Sequence, residues 1–298
     1  MTSPSLQVSI IVITMDRPDF VARCLGQIAA QSLKPQQVIV VDNSTQPGGE
    51  ALKAEFPFID VVQLPPRQGA NFPRNRGLEA ARGDVCVFID DDVTFDDATT
   101  LARLVAYFEN PGVGLLAVHV MQGDTGQTQW NALPRDWLAR RSMPAGDVPC
   151  ALFCGACFAV RREWMVKAGM FWERLFLHHE EMELSHRLVD AGCEFVYSPS
   201  VRVRHYYTHS PRSPSRSAYY SPRNILWIAL RNLPVRYGVP LVLRFWMLDG
   251  AKALAGGEIH HFLRGLWHGL SGVGAVLRER RPISLASARK IRALKGFV

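Results

Sequence analysis

The 298-residue sequence lacks the features that mark several whole classes of protein. No apolar stretch approaches the ~18 residues that a membrane-spanning helix requires, so we predict no transmembrane segment. Met1–Leu6 carries no basic residue and the apolar run Val8–Ile13 is short, so we predict no secretory signal and expect a cytoplasmic protein. Six cysteines are too few for a disulfide scaffold. No Gly-x-Gly-x-x-Gly motif follows the first predicted strand, which argues against a dinucleotide-dependent oxidoreductase.

The composition is that of an ordinary globular protein, with 48% apolar and 20% charged residues. Its net charge of +7 is concentrated at one end. Arg231–Val298 holds 12 Lys and Arg against 3 Asp and Glu, whereas the preceding 230 residues hold 22 against 24. A basic segment that also contains tryptophan favours peripheral contact with an anionic membrane surface over binding of nucleic acid. A solvated helical appendage and a dimer contact are the alternatives.

The first 110 residues alternate between short apolar runs and helical segments. Strands are predicted at Val8–Thr14, Gln37–Asp42, Ile59–Leu64 and Val85–Ile89, and helices begin near Pro18, Glu50, Asn75 and Thr99. This alternation is typical of α/β proteins in which helices cover both faces of a mostly parallel sheet. Beyond residue 110 we predict strands at 113–121, 151–160, 195–197 and 201–205, and helices at 162–168 and 181–191. From Tyr219 onward the pattern is helical, with breaks at Pro234, Pro240, Gly256-Gly257 and Pro282.

Polar residues stand at the carboxyl ends of three predicted strands. Thr14 ends the first strand, Asp42 ends the second, and Asp90-Asp91-Asp92 follows the fourth. Parallel sheets bind ligands at this edge, so these groups predict a nucleotide site. Three adjacent carboxylates repel one another unless a cation neutralises them, and oxygen ligands suit Mg²⁺ or Mn²⁺ bound to a diphosphate. The alternative is an acidic turn that caps the next helix.

A second acidic cluster lies at His178–Arg187. On a helix Glu180, Glu183 and Arg187 share one face, whereas Glu181 lies about 100° away from Glu180 at the helix start. A carboxylate that projects into a cleft from this position can act as a general base. The alternative is an ordinary helix start whose acidic residues complement the helix dipole.

Four segments in a fixed order form the most specific pattern in the sequence. They are Val8–Thr14, Val40–Ser44, Gly69–Asp92 and Gly169–Arg187. The third contains Asn-x-x-x-Asn-x-Gly before the Asp triplet. Together they resemble the family 2 inverting glycosyltransferases, which have the GT-A fold, and the fourth resembles the acidic Glu-Asp-x-Asp/Glu-Leu-x-x-Arg motif of that family. The resemblance covers approximately Val8–Asn232 and is greatest for the rhamnosyltransferase-type branch of bacterial surface-glycan enzymes.

The resemblance implies transfer of a sugar from a nucleotide-diphosphate sugar, with UDP or dTDP as the nucleotide and rhamnose as a candidate sugar. The acceptor would be a hydroxyl of a saccharide or a lipid-linked glycan. By the same resemblance Glu181 is the catalytic base, Asp92 is the direct ligand of Mn²⁺ or Mg²⁺, and Asp90 and His205 are further metal contacts. The residues implied in nucleotide and donor binding are Thr14, Asp42, Asn71, Arg74, Asn75, Asp90, Asp91, Gly155, Ala156 and Arg223.

Two positions depart from the family pattern. The family usually has Asp where this chain has Glu181, so the adjacent Glu180 is a second candidate for the base. After the last predicted strand, the sequence His-Tyr-Tyr-Thr-His leaves His205 and His209 as rival metal ligands.

The resemblance also implies a domain organisation. We expect a catalytic domain over residues 1–235, with a nucleotide-binding half to about residue 115 and an acceptor-binding half after it. Residues 236–298 would form a basic helical extension that could rest on the inner face of the cell membrane. Two rival functions remain. A nucleotidyltransferase would carry a glycine-rich phosphate loop after the first strand, and a non-catalytic nucleotide-sugar-binding relative would lack the Asp triplet or the base.

Overall fold

The computed structural model describes residues 6–66, 68–129, 137, 141–206 and 214–298. In these ranges the strands are β1 Val8–Thr14, β2 Gln37–Asp42, β3 Ile59–Gln63, β4 Val85–Asp90, β5 Val93–Phe95, β6 Leu115–Gln122, β7 Val148–Cys150, β8 Cys157–Arg161 and β9 Phe195–His205. The helices are α1 Pro18–Ala29, α2 Gly49–Glu55, α3 Asn71–Ala80, α4 Thr100–Ala106, α5 Arg162–Ala168, α6 Glu180–Asp190, α7 Pro214–Asn232, α8 Val235–Ala255, α9 Ile259–Ser271, α10 Val273–Arg278 and α11 Leu285–Ala293. A 3₁₀ turn at Tyr107–Glu109 extends α4.

The strands form one sheet in the order β3-β2-β1-β4-β8-β6-β9-β5, and β7 pairs with β9 outside this path. The first four strands of this order run parallel, as the alternation of the sequence predicts. β8 runs antiparallel to both β4 and β6. The register pairs Thr14 with Asp42 and Ile13 with Asp90, so the polar ends of β1, β2 and β4 lie side by side.

Side chains of the parallel strands alternate between two apolar cores on opposite faces of the sheet. Ile11 and Phe88 belong to one core, and Ile10 and Val87 belong to the other. Helices α3, α6 and α7 contribute to the first core, and α1 and α4 contribute to the second. Because both faces are covered, the central parallel strands are nearly continuous apolar runs rather than alternating ones.

Three local predictions in the second half of the chain were wrong. The strand predicted over 151–160 begins only at Cys157. Before it, the backbone N–H of Gly155 donates to the side chain of Glu181 rather than to a neighbouring strand. The strands predicted at 195–197 and 201–205 are one strand, β9, whose register against β6 jumps from Ser198 to Arg202. Pro199 lies in this irregular stretch, where its missing N–H costs no ladder hydrogen bond.

The C-terminal helices form a layer on α6 and α7. Helices α8, α9 and α10 pack on α7, and α11 packs on α6. The break predicted at Pro240 was wrong, because α8 runs from Val235 through this residue, which removes a single hydrogen bond near the helix start. Among the described residues, no helix combines the length and apolar character needed to cross a membrane. The domain boundary at 235/236 falls one residue after the start of α8 at Val235 and stays a prediction.

Candidate active site

A cleft of about 900 Å³ opens at the carboxyl edge of the parallel strands. Its walls bring together the end of β1, the acidic triplet after β4, the start of α6 and the end of β9. Of the predicted site residues, those that line it are Thr14, Asp90, Asp91, Asp92, Glu180, Glu181 and His205. The two acidic clusters, which lie about 90 residues apart in sequence, therefore face one cavity.

The charges of Asp91 and Asp92 are compensated by fixed neighbours. Arg17 Nη1 lies 3.1 Å from Asp91 Oδ1 and 2.9 Å from Asp92 Oδ2. Thr14 Oγ1 donates to Asp91 Oδ2 at 2.8 Å. Burial raises the pKa of Asp91 to about 7, against the opposing effect of Arg17. Burial also acts to raise the pKa of Asp92, but the contact with His205 and the charge of Arg17 outweigh it and lower that pKa.

Asp92 and His205 fit a metal site. His205 Nε2 lies 3.2 Å from Asp92 Oδ1, and His205 Nδ1 lies 3.0 Å from Gln129 Oε1. A hydrogen bond to Gln129 places the ring proton on Nδ1, which directs the Nε2 lone pair toward the carboxylate. Two such atoms face each other favourably when a proton or a metal ion lies between them, and carboxylate with imidazole is a ligand set that divalent ions accept. The rival ligand His209 lies outside the described residues.

Arg74 connects the two acidic clusters. Its Nη2 lies 3.2 Å from Asp90 Oδ1 and 3.1 Å from the carbonyl oxygen of Gly155, and its Nη1 lies 3.4 Å from Glu180 Oε1. The guanidinium is buried, so these oxygens satisfy its charge inside the protein. Asp90 is thus held by Arg74, whereas Asp92 is held by His205 and Arg17.

Glu181 is held by the backbone rather than by an arginine. Its Oε1 accepts the N–H of Gly155 at 3.0 Å. A Cβ at residue 155 would lie 2.5 Å from that oxygen, so a larger residue there would displace the carboxylate from this position. Burial and the neighbouring charge of Glu180 raise the pKa of Glu181, and Arg74 opposes them. A carboxylate with a raised pKa in a cleft has the properties of a proton acceptor.

Asn71 and Asn75 hold a loop and do not line the cleft. Asn71 Nδ2 donates to the carbonyl oxygens of Trp172 and Leu175 at 3.0 and 2.8 Å. Asn75 accepts from the N–H of Phe171 and donates to its carbonyl oxygen, both at 2.9 Å. Their spacing of four residues places both amides on one side of α3, facing the segment that leads to α6.

Three other predicted site residues are also absent from the lining of the cleft. Asp42 accepts the N–H groups of Ser44 and Gly48 at 2.9 and 3.0 Å and closes its own turn. The carbonyl oxygen of Ala156 accepts the N–H of Asp90 at 2.9 Å. Arg223 lies on α7 with its guanidinium against Tyr219, Tyr220 and Trp227. Their roles in donor binding stay predictions, as do the roles of Asn71 and Asn75.

The sequence analysis missed Arg17 and Gln129. Arg17 follows the first strand, and nothing in its neighbourhood announces a partner 74 residues away. Gln129 contacts His205 from a segment for which no strand or helix was predicted. Both residues reach the site only because the fold brings distant segments of the chain together.

Comparisons with known proteins agree with this geometry. Residues 9–168 match the family model described as glycosyl transferase family 2. The chain is 27% identical to an O-antigen biosynthesis protein of Myxococcus xanthus over 75% of this chain and 19% of that protein. It is 24% identical to the N-acetylglucosaminyl-diphospho-decaprenol L-rhamnosyltransferase of Mycobacterium tuberculosis over 82% of this chain and 90% of that protein. The chain thus spans about a fifth of the first relative and nearly all of the second.

A solved structure shows the same fold. The mannosyltransferase PcManGT of Pyrobaculum calidifontis, in complex with GDP-Man and Mn²⁺, superposes with a TM-score of 0.60 and 17% sequence identity. The match covers 98% of this chain and 80% of that one. Such low identity establishes only the architecture, which is the GT-A fold of glycosyltransferases. With the family model matching more than half of its length, this chain belongs to glycosyl transferase family 2.

Proposed function

We propose that the protein transfers a sugar from a nucleotide-diphosphate sugar to an acceptor hydroxyl with inversion at the anomeric carbon. One observation carries this proposal. A single cleft holds Asp92 and His205, which suit a metal-bound diphosphate, and Glu181, which suits proton removal from an acceptor. The requirements of the leaving group and of the nucleophile are thereby met within the same cavity.

In this mechanism Glu181 accepts the proton of the acceptor hydroxyl. The acceptor oxygen forms a bond to the anomeric carbon while the bond from that carbon to the diphosphate oxygen breaks. One carboxylate is sufficient, because the diphosphate leaves as a stabilised anion and needs no proton, unlike the leaving group in a glycosidase. The Gly155 N–H fixes one oxygen of Glu181 and so orients the carboxylate.

The residues that would hold Mn²⁺ or Mg²⁺ are Asp92 and His205. A bound divalent ion neutralises the charge that develops on the leaving diphosphate. Arg17 balances the charge of Asp91 and Asp92 from the mouth of the cleft, and Thr14 fixes the orientation of Asp91.

The names of the relatives support a donor and an acceptor class. The Mycobacterium tuberculosis relative is named for L-rhamnosyl transfer to a lipid-linked diphospho-sugar, and a Salmonella typhimurium relative is named an O-antigen chain rhamnosyltransferase. We therefore propose a UDP- or dTDP-linked hexose or deoxyhexose, with rhamnose first, as the donor. A lipid-linked glycan is the proposed acceptor.

The surface of the C-terminal helices supports access to such an acceptor at a membrane. Exposed apolar side chains follow one another along α8 and α9, and we name them the α8–α9 apolar face: Val235, Val239, Leu243, Met247, Leu248, Leu254, Ile259, Leu263, Trp267 and Leu270. Arg236, Arg244, Lys252 and Arg264 are exposed on the same two helices. The carboxylate of Asp249 is turned inward to Ser221, so it does not oppose contact with anionic lipid.

The donor is tested first by thermal unfolding with UDP-, dTDP- and GDP-sugars, each with and without Mn²⁺. A ligand at a hundredfold excess over its Kd stabilises the native state by about 2.7 kcal/mol. We expect one nucleotide class to raise Tm with Mn²⁺ and to have little effect in Asp92→Ala. A wild-type protein that folds, binds none of these donors and transfers no sugar would refute the proposal.

Membrane contact is tested by sedimentation with neutral vesicles and with vesicles that contain phosphatidylglycerol. We expect binding to the anionic vesicles and its loss in Leu243→Glu/Met247→Glu, because the double substitution places two charges in the α8–α9 apolar face. Val166→Glu, at an equally exposed apolar position on α5, is the matched control and should bind as the wild type does. Failure of the wild-type protein to sediment with anionic vesicles would contradict the proposal. So would a double variant whose only change is the dissociation of a dimer.

A further inference from the structure

The two residues directly before α6 have an unusual backbone conformation. His178 and His179 have φ angles of 73° and 66°, in the left-handed region that residues with a Cβ rarely occupy. Two such residues in succession do not persist without support from their surroundings. The turn ends at Glu180 and Glu181, so its conformation decides where α6 begins and where the carboxylates of the cleft point.

Helix α7 holds the backbone of this turn. Asn224 Nδ2 donates to the carbonyl oxygens of Leu177 and His178 at 2.6 and 2.8 Å. Asn224 is fully buried, so one amide group fixes two successive peptide units without competition from water. Ser217, Tyr220, Ser221 and Asn224 lie on one side of α7, and each contacts the turn or a ring within it.

A buried hydrogen-bond chain holds the side chain of His179. Ser221 Oγ donates to Asp249 Oδ2 at 2.6 Å and lies 2.7 Å from His179 Nε2. Because the single hydroxyl proton of Ser221 goes to the carboxylate, His179 must donate from Nε2. Burial lowers the pKa of His179 to about 3, which keeps the ring neutral. In this order, carboxylate to hydroxyl to imidazole, the imidazole donates to the serine instead of accepting its proton, so the chain is not a nucleophilic triad.

The hydrogen-bond chain connects the C-terminal helices with the candidate base. Asp249 belongs to α8, as does Phe245, whose ring meets the His179 ring edge to face at 5.4 Å. We propose that Ser221, Asn224 and Asp249 are positioning residues that hold the His178–His179 turn and so direct Glu181 into the cleft. This inference rests on the proposed role of Glu181. It makes α8 a part of the catalytic apparatus rather than an appendage.

The proposal is tested by steady-state kinetics of the full chain with the donor that the thermal-unfolding experiment identifies. In Asp249→Ala and Ser221→Ala the turn loses its side-chain anchor, and we expect kcat to fall by up to about 100-fold, as misplacement of a reacting group by about 1 Å does. Asp249→Asn keeps an oxygen that accepts the Ser221 proton, so it should retain most of the wild-type kcat. The donor KM and the rise in Tm with donor and Mn²⁺ should not change, because the anchor lies behind the base and away from Asp92.

Glu258→Gln and Ser271→Ala are the matched controls, since they remove a carboxylate and a hydroxyl from the same helical layer without touching the turn. Equal kcat in Asp249→Ala and the wild type would overturn the inference. So would an equal loss in Asp249→Ala and Asp249→Asn, or a loss that falls on the donor KM alone. These outcomes presuppose an active wild-type enzyme, so they are distinct from a wild type without transferase activity, which would refute the proposed function itself.

Discussion

The two sides of helix α6 carry carboxylates with opposite surroundings. On the buried side, Glu183 is paired with Arg187 Nη2 at 2.5 Å and with Arg231 Nη1 at 2.5 Å, and it accepts from Asn232 Nδ2 at 3.0 Å. On the cleft side, two residues earlier, Glu181 has the backbone N–H of Gly155 as its anchor, and within the described part of the chain no arginine forms an ion pair with it. The oxygens of Glu183 are fully used by fixed donors, whereas an oxygen of Glu181 remains available to a ligand in the cleft.

This difference separates residues that hold the structure from residues that can do chemistry. A carboxylate whose acceptor sites are all used by buried cations has no site left for a substrate proton. A carboxylate in a cleft, with one oxygen oriented and a raised pKa, can accept that proton. The two kinds of acid share one motif in the sequence, and only their partners in the fold distinguish them.

The sharpest test of the comparison is Glu181→Gln. The amide cannot accept the acceptor proton, and loss of a general base typically costs about 10²- to 10⁴-fold in rate. We therefore expect kcat to fall by that factor while Tm and the rise in Tm with donor and Mn²⁺ stay as in the wild type. Glu79→Gln on the surface of α3 serves as the control and should leave kcat unchanged. Full activity in Glu181→Gln would remove this residue from the mechanism.

On the buried side, Glu183→Gln should affect stability before activity. It leaves Arg187 and Arg231 without their counter-charge, and breaking a buried ion pair in this way costs about 3–5 kcal/mol of unfolding free energy. Burial acts to raise the pKa of Glu183, but Arg187 and Arg231 lower it overall, so its stabilising effect is present near neutral pH and is lost as the pH falls through that lowered pKa. The difference between wild type and variant in denaturant unfolding should thus shrink at acidic pH.

Glu194→Gln gives the matched control for Glu183→Gln. Glu194 pairs with Lys290 on the surface, where more than half of the glutamate side chain is exposed. Exposed pairs contribute about 0–1 kcal/mol. Equal destabilisation by the two substitutions would show that burial does not distinguish the two ion pairs.

The comparison also explains which parts of the site can be predicted from sequence. Thr14 and the acidic triplet line the cleft, as expected for polar residues at the ends of parallel strands, because strand ends and parallel topology are local properties of the pattern. Their roles there stay predictions. The spacing of Asn71 and Asn75 was recognised, but their partners lie about a hundred residues downstream and no local signal identifies them. The left-handed turn at His178–His179 could not be predicted from the sequence either, because glycine and asparagine are the residues that usually indicate such a conformation.

Asn75→Ala tests whether this amide supports the loop or the ligand. Its removal leaves the N–H and carbonyl oxygen of Phe171 without their partner, at a cost of about 1–3 kcal/mol for a buried unsatisfied group. We expect a lower Tm and an unchanged donor Kd. Asn110→Ala, in a surface turn, is the control and should change the unfolding free energy by about 0.5 kcal/mol or less. Weaker donor binding at an unchanged Tm would instead support the predicted role of Asn75 in nucleotide binding.

The smallest expected effect is a displacement of the pH profile in Glu180→Gln. The charge of Glu180 helps to raise the pKa of Glu181, so the acidic limb of kcat/KM should lie above the range of an ordinary glutamate. Replacing Glu180 with Gln removes a like charge and leaves Arg74, which lies 3.4 Å from it, with one fewer carboxylate beside Glu181 to compensate. Both changes favour the ionised form of Glu181 and move the limb to lower pH. If Glu180 were itself the base, the same substitution would abolish turnover at every pH, so one profile distinguishes the two carboxylates.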